Sequence, residues 1–97
     1  MTESVVVLGP IPLAHYATAG TEEVPTVIES LCRQYKGALL ANHGAITWAE
    51  DLTTAWYLME SIEQSADIYM KAKFILGNVN LLSKDDIEKL KRRYGIL

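Results

Sequence analysis

Cysteine is almost missing from this chain: Cys32 stands alone among 97 residues. No internal disulfide can form and no C-x-x-C metal motif exists, which suits a reducing cytoplasm. Long apolar runs are missing too. None approaches the ~20 residues that a membrane-spanning helix needs. The start, "MTESVVVLG", lacks the basic residues and long apolar stretch of a signal peptide. Positive charge is scarce: nine Lys and Arg face twelve Asp and Glu, for a net charge of -3. A nucleic-acid partner is therefore not expected. The short basic cluster Lys89, Lys91, Arg92 and Arg93 reads as the C-terminal end of a helix, where cations suit the dipole. There is no internal repeat and no low-complexity segment. What remains is an ordinary globular composition, 49% hydrophobic and 22% charged, in a length that fits one small domain.

The pattern along the chain alternates strands and helices. "SVVVLG", residues 4–9, is β-branched and bounded by Gly9 and Pro10, and predicts a short buried strand. Residues 10–20, with two prolines and a glycine, predict a loop or edge segment. Thr21 is a suitable N-cap, and Glu22 and Glu23 suit the first turn of a helix. Val24, Val27, Ile28, Leu31, Cys32 and Tyr35 recur at helical spacing, with Pro25 tolerable so near the start. Gly37 ends that helix. "ALLAN" lacks polar alternation and predicts a strand covered on both faces. "AITWA", residues 45–49, predicts a third strand or an extension of the second. Asp51 caps the longest predicted helix, which runs to about Leu76 before Gly77. Its apolar stripe is Leu52, Ala55, Met59, Ile62, Ala66, Tyr69 and Met70, widened by Trp56. Ser83 caps a last helix through Arg93, with Gly95 as its stop. The fold class is α/β. Two or three strands are few for it, which suggests that a partner or a further segment completes the sheet.

His43 is the foremost site candidate. It follows the apolar run Ala38–Ala41 and Asn42, at a predicted strand end, where sites gather in open α/β sheets. Gly44 removes a side chain beside the imidazole. A packed, hydrogen-bonded histidine is the plainer reading of the same residue. The only other histidine, His15, has no His or Cys at ligand spacing, so the chain by itself does not assemble a three- or four-donor zinc site. Glu60 and Glu63 share a helix face; Glu60 reads as solvated, and Glu63 as the better candidate to support a metal-bound histidine. Tyr94 carries a phenol that can move a proton, in a tail anchored by Ile96 and Leu97. Tyr16 reads as a packing residue shaping its loop, Trp48 and Trp56 as core, and Cys32 as inert.

Four segments in series resemble the class II aldolase/adducin family, most nearly its L-fuculose-phosphate aldolase branch. "PLAHYATAGTEEV" is similar to a P-x-x-x-Y-x-x-x-G-[ST]-x-E loop entering a helix. "ALLANHGAITWAEDLTTA" resembles an L-L-x-x-H-G strand followed by a D-L-x-x-A helix start. "MESIEQSADIYMKA" resembles an E-x-x-A-x-x-Y helix, and "LSKDDIEKLKRRYG" the aldolase tail. The resemblance covers nearly the whole chain. It implies that residues 1–97 form a single partial domain, the C-terminal half of a three-layer α/β/α sandwich that usually assembles as a tetramer.

The resemblance also implies a chemistry. Such aldolases hold zinc, or another divalent metal, through three histidines. His43 matches the third. The H-x-H motif that supplies the other two has no counterpart here, and the acid–base glutamate and phosphate contacts belong to the same absent half. Tyr94 matches a tail tyrosine implicated in proton transfer. The expected substrate is a sugar phosphate, a ketose 1-phosphate such as L-fuculose 1-phosphate, cleaved to dihydroxyacetone phosphate and an aldehyde. A ribulose-phosphate 4-epimerase, a dehydratase and a non-catalytic adducin-like assembly module are the alternatives that the family offers. By this reading the isolated chain is inactive, the coding sequence carries an H-x-H motif upstream, and exposed apolar faces make the chain a homo-oligomer or the partner of an N-terminal half.

Overall fold

The computed structural model describes residues 4–96. They divide into two compact units, one of Pro10–Met59 and one of the residues up to Gly9 together with those from Glu60 onward.

In the first unit a three-stranded sheet runs in the order β1 (Leu13–Ala14), β2 (Gly37–Leu40), β3 (Gly44–Thr47). β1 and β2 are parallel, with Leu13 beside Leu39 and Ala14 beside Leu40. β2 and β3 form an antiparallel hairpin, registered from Gly37 opposite Thr47 to Leu40 opposite Gly44. The expected edge segment is thus a two-residue edge strand. β2 is not covered on both faces, however. Ala38 is fully buried, but Leu39 beside it is 41% exposed, so successive side chains face opposite environments.

Helix α1 (Glu23–Leu31) lies against β2. Val24, Val27, Ile28 and Leu31 are half-buried, whereas Glu22, Glu23, Thr26, Glu29 and Ser30 are exposed, the separation that helical spacing predicts. The helix stops well short of Gly37. Past Leu31 the carbonyls turn toward the end of β3: Trp48 Nε1–H donates to Tyr35 C=O at 2.7 Å, and Trp48 N–H to Lys36 C=O at 3.2 Å. The helix itself closes on Leu31 C=O, which accepts both the Gln34 N–H at 3.2 Å and the Tyr35 N–H at 3.1 Å.

Helix α2 (Leu52–Met70) passes from the first unit into the second. Asp51 caps it as expected, its carboxylate accepting the Thr54 N–H at 2.7 Å. Leu58 is its buried residue, with Ala55, Met59, Ile62 and Ser65 half-buried. Leu52 is 86% and Trp56 61% exposed, so the apolar stripe is rotated from the expected one and Trp56 is not core. The helix then widens into a π-type turn, Lys71–Ile75, closed by Leu76 N–H onto Lys71 C=O, which brings its end to the expected place.

The second unit corrects one expectation outright. Ser4–Leu8 is a single π-type turn, not a strand, with Gly9 N–H donating to Ser4 C=O at 2.8 Å. A strand needs a neighbour to take its amides, and the described sheet has its three strands elsewhere. Ser4 Oγ lies 2.7 Å from Ser65 Oγ on α2, and Leu8 is buried. Helix α3 (Lys84–Tyr94) packs against this turn. Ser83 Oγ accepts the Asp86 N–H at its start. Gly95, at φ 66, ends it with its N–H on Lys91 C=O, as the sequence indicates.

Candidate functional site

The sheet positions His43. β2 ends at Leu40, and Ala41, Asn42 and His43 reverse the chain before β3 starts at Gly44. His43 N–H closes this turn on Leu40 C=O at 3.0 Å. Two residues take positive φ, Asn42 at 68° and Gly44 at 141°. Asparagine tolerates the left-handed region better than most side chains. The Gly44 value is one that glycine alone adopts readily. The backbone conformation is thus a reason for glycine here in its own right, beside the side chain it removes next to the imidazole. His43 lies in the turn itself, exposed, and not on the strand.

Because β1 and β2 are parallel, the segment leaving β1 runs beside this turn. His43 Nε2 donates to Ala17 C=O at 2.7 Å, a contact between residues 26 apart in sequence. A carbonyl only accepts, so Nε2 carries the proton and the neutral imidazole keeps its lone pair on Nδ1. The Tyr16 ring stacks on the imidazole, with centroids 5.6 Å apart and planes 14° from parallel. Tyr16 thus does more than shape its loop. His15 and His43 line one small crevice with Ala17, Val24, Val27 and Leu40. Sequence spacing kept these histidines apart, and strand pairing brings them together. A wider depression beside the loop is lined by Tyr16, Ala17, Glu22, Glu23, Thr26 and Val27. Its two carboxylates do not suit a phosphate.

The loop after β1 is itself held. Thr18 N–H donates to Glu23 Oε2 at 2.8 Å. Thr21 Oγ1 donates to Thr18 C=O at 2.6 Å and accepts the Glu23 N–H at 3.3 Å. Helix dipole reasoning marks Glu23 only as a first-turn carboxylate. The G-[ST]-x-E spacing was the available signal that it also serves the loop.

The donor set does not fit a metal by itself. Among the described residues no three His, Cys, Asp or Glu side chains cluster, whereas zinc takes three or four protein donors. His43 suits one position in a larger set. Tyr94, 60% exposed at the end of α3, belongs to the other unit. Glu60 and Glu63 are exposed on α2, and Cys32 is exposed at the end of α1. Among the described residues no helix is long and apolar enough to cross a membrane.

Comparison with known proteins bears on this arrangement. Residues 1–70 match the family model described as Class II Aldolase and Adducin N-terminal domain. The L-fuculose phosphate aldolase of Escherichia coli K12 is 34% identical over 90 residues, covering 89% of this chain and 41% of that protein. The enzyme of the same name from Haemophilus influenzae is 33% identical over 78 residues, covering 80% of this chain and 36% of that protein. A 3-oxo-tetronate 4-phosphate decarboxylase of Pectobacterium atrosepticum is 34% identical over 85 residues, covering 86% and 37%. Among solved structures, an L-fuculose 1-phosphate aldolase superposes with a TM-score of 0.80 at 28% identity, over 99% of this chain and 45% of that one. The chain thus spans well under half the length of the relatives it matches.

Proposed function

The chain belongs to the class II aldolase and adducin family, and from that premise we propose that it is part of a sugar-phosphate aldolase. The reaction is cleavage of a ketose 1-phosphate, of which L-fuculose 1-phosphate is the example, to dihydroxyacetone phosphate and an aldehyde. One observation carries this reading. His43 is held by Ala17 C=O through Nε2, in the hairpin turn beside the end of β1, in a chain 34% identical to an L-fuculose phosphate aldolase. That geometry leaves Nδ1 as the ring's donor atom.

On this reading His43 is one donor to zinc or another divalent metal, and an H-x-H pair outside this chain supplies the others. Residues 1–97 are then the C-terminal half of the domain, inactive alone and completed by an N-terminal half within a homo-oligomer in the cytoplasm. In the cleavage the hydroxyl on the aldehyde-forming carbon loses its proton. The pair of the breaking carbon–carbon bond stays with the ketone fragment, which is then protonated. Tyr94 handles the proton at the aldehyde oxygen.

The test is reconstitution. This chain is mixed with the N-terminal half of an L-fuculose phosphate aldolase, and bound zinc and dihydroxyacetone phosphate release are measured. Both are expected in the mixture and neither in the chain alone. His43→Ala removes the zinc, and Tyr94→Phe lowers kcat by about 10²-fold with zinc retained. A complex that binds zinc equally well with His43→Ala overturns the assignment of His43. A zinc-loaded complex that leaves every ketose 1-phosphate intact overturns the reaction. A second reading, decarboxylation of a 3-oxo acid phosphate, is favoured by the equal identity to the Pectobacterium atrosepticum decarboxylase. Carbon dioxide release from 3-oxo-tetronate 4-phosphate by the same complex decides for it.

A further inference from the structure

We infer that Glu23 is a positioning residue for His43, acting through the peptide unit that joins Ala17 to Thr18. The two ends of that one unit are engaged in opposite directions. Its carbonyl accepts the His43 Nε2–H at 2.7 Å, and its N–H donates to Glu23 Oε2 at 2.8 Å. In a trans peptide the C=O and N–H point in opposite directions along one dipole. A carboxylate on the N–H side and an imidazole on the C=O side therefore lie along the same polarised line. Each bond strengthens the other. The plane of the unit, once both ends are fixed, sets where the carbonyl oxygen stands and hence where the ring points.

The neighbours keep this arrangement from swinging. Ala17 is 5% exposed, so the Cα on one side of the unit is anchored in the fold. On the other side Thr21 Oγ1 ties Thr18 C=O to the Glu23 N–H, closing a ring of hydrogen bonds around the carboxylate. Tyr16 covers the imidazole face. A metal-bound histidine usually gives its second N–H to a carboxylate or a carbonyl, which fixes tautomer and orientation. Here both groups are used in series, with a peptide unit between them. The consequence is a His43 ring locked with its proton on Nε2 and its lone pair on Nδ1. The functional value of that lock rests on the reading of His43 as a donor; the lock itself does not. A carboxylate that served only the dipole of α1 would leave the imidazole untouched, and this separates the two roles.

The experiment is solvent exchange of the His43 Nε2–H and the Thr18 amide, followed by NMR on the ¹⁵N-labelled full chain without added metal, with His15 as the control ring. A protected Nε2–H at His43 and none at His15 is expected. Glu23→Ala accelerates exchange at both the Thr18 amide and His43 Nε2–H, by about tenfold at Thr18. Glu23→Gln, which keeps an acceptor oxygen, restores most of the protection. The inference is overturned if His43 Nε2–H is unprotected in the native chain, or if Thr18 accelerates while His43 does not. Should Glu23→Ala lose its helical circular dichroism, the Gln variant decides: the two sites must then shift in the same direction relative to the native chain, and movement at Thr18 alone overturns the inference. Zinc binding in the reconstituted complex is scored separately. A lock present without zinc binding overturns the metal reading alone, and zinc bound without the lock overturns this inference alone.

Discussion

Asn42 offers the sharpest test of how the turn is built. Its backbone sits at φ 68 and its side chain is exposed. Replacing it therefore removes no buried surface, and the change in stability reads backbone conformation alone. The left-handed region costs an ordinary L-residue about 1–2 kcal/mol, and asparagine less. Asn42→Ala is expected to destabilise by about 1 kcal/mol and Asn42→Val, which is β-branched, by about 2 kcal/mol. Asn42→Gly relieves the strain but loosens the unfolded chain, and the two effects nearly cancel. In a domain of this size each kcal/mol moves Tm by about 4–8 °C. Urea unfolding followed by tryptophan fluorescence gives the order directly: native and Gly together, then Ala, then Val. An Asn42→Val protein with the native midpoint, or a glycine variant weaker than the alanine one, refutes the reasoning. The order should also appear in the His43 Nε2–H, because the turn that Asn42 makes points that ring at Ala17.

Further outcomes follow from the same structure. Two hydrogen bonds from Thr54 hold the Asp51 carboxyl below its ordinary value of 3.8. Its contribution is fully present above that value and is lost as pH falls through the lower folded one; Asp51→Asn is expected to flatten the acid limb of a stability–pH curve, and an unchanged limb counts against the cap. Trp48→Phe removes the donor to Tyr35 C=O and is expected to cost about 1 kcal/mol in urea unfolding. A native midpoint would mean that the bond stabilises nothing. Leu52, Phe74, Ile75, Leu76 and Leu81 are each more than 70% exposed, and surfaces of this kind drive association. Sedimentation at micromolar concentration is expected to give a mass above 10.8 kDa, and a folded monomer refutes it.

Legibility in the sequence followed the range of the interaction. The caps were plain: Asp51, Ser83 and Gly95 each act within four residues of themselves, and each does what its residue type dictates. The H-G step marked a real feature, the turn at His43. What the sequence hid was set by residues far away. "SVVVL" has strand composition, but composition does not provide a neighbouring strand, and the segment closes on itself as a helical turn. Helix α1 has helical periodicity past Leu31, yet its last turn tightens on Leu31 C=O, and the carbonyls of Tyr35 and Lys36 already face Trp48. Trp56 is apolar and falls on a helical stripe, but the buried side of α2 runs through Leu58 instead. At the site, Tyr16, Ala17 and His15 carry no spacing relation to His43. Only the parallel register of β1 and β2 connects them.

That register explains why an exposed histidine in a turn can serve as a fixed group at all. A turn residue has no ladder on either side to hold its ring, and an isolated hairpin of β2 and β3 is marginal in water. The ring is steadied from outside the hairpin, by a carbonyl and an aromatic face on the segment that leaves β1. Ala17 and His43 are 26 residues apart, and α1 lies between them in sequence. Closing that loop costs chain entropy, which the pairing of β1 with β2 and the packing of α1 on β2 offset. His43 is therefore oriented only once the sheet and its covering helix have assembled. A peptide of residues 37–47 would carry the same histidine with a freely rotating ring.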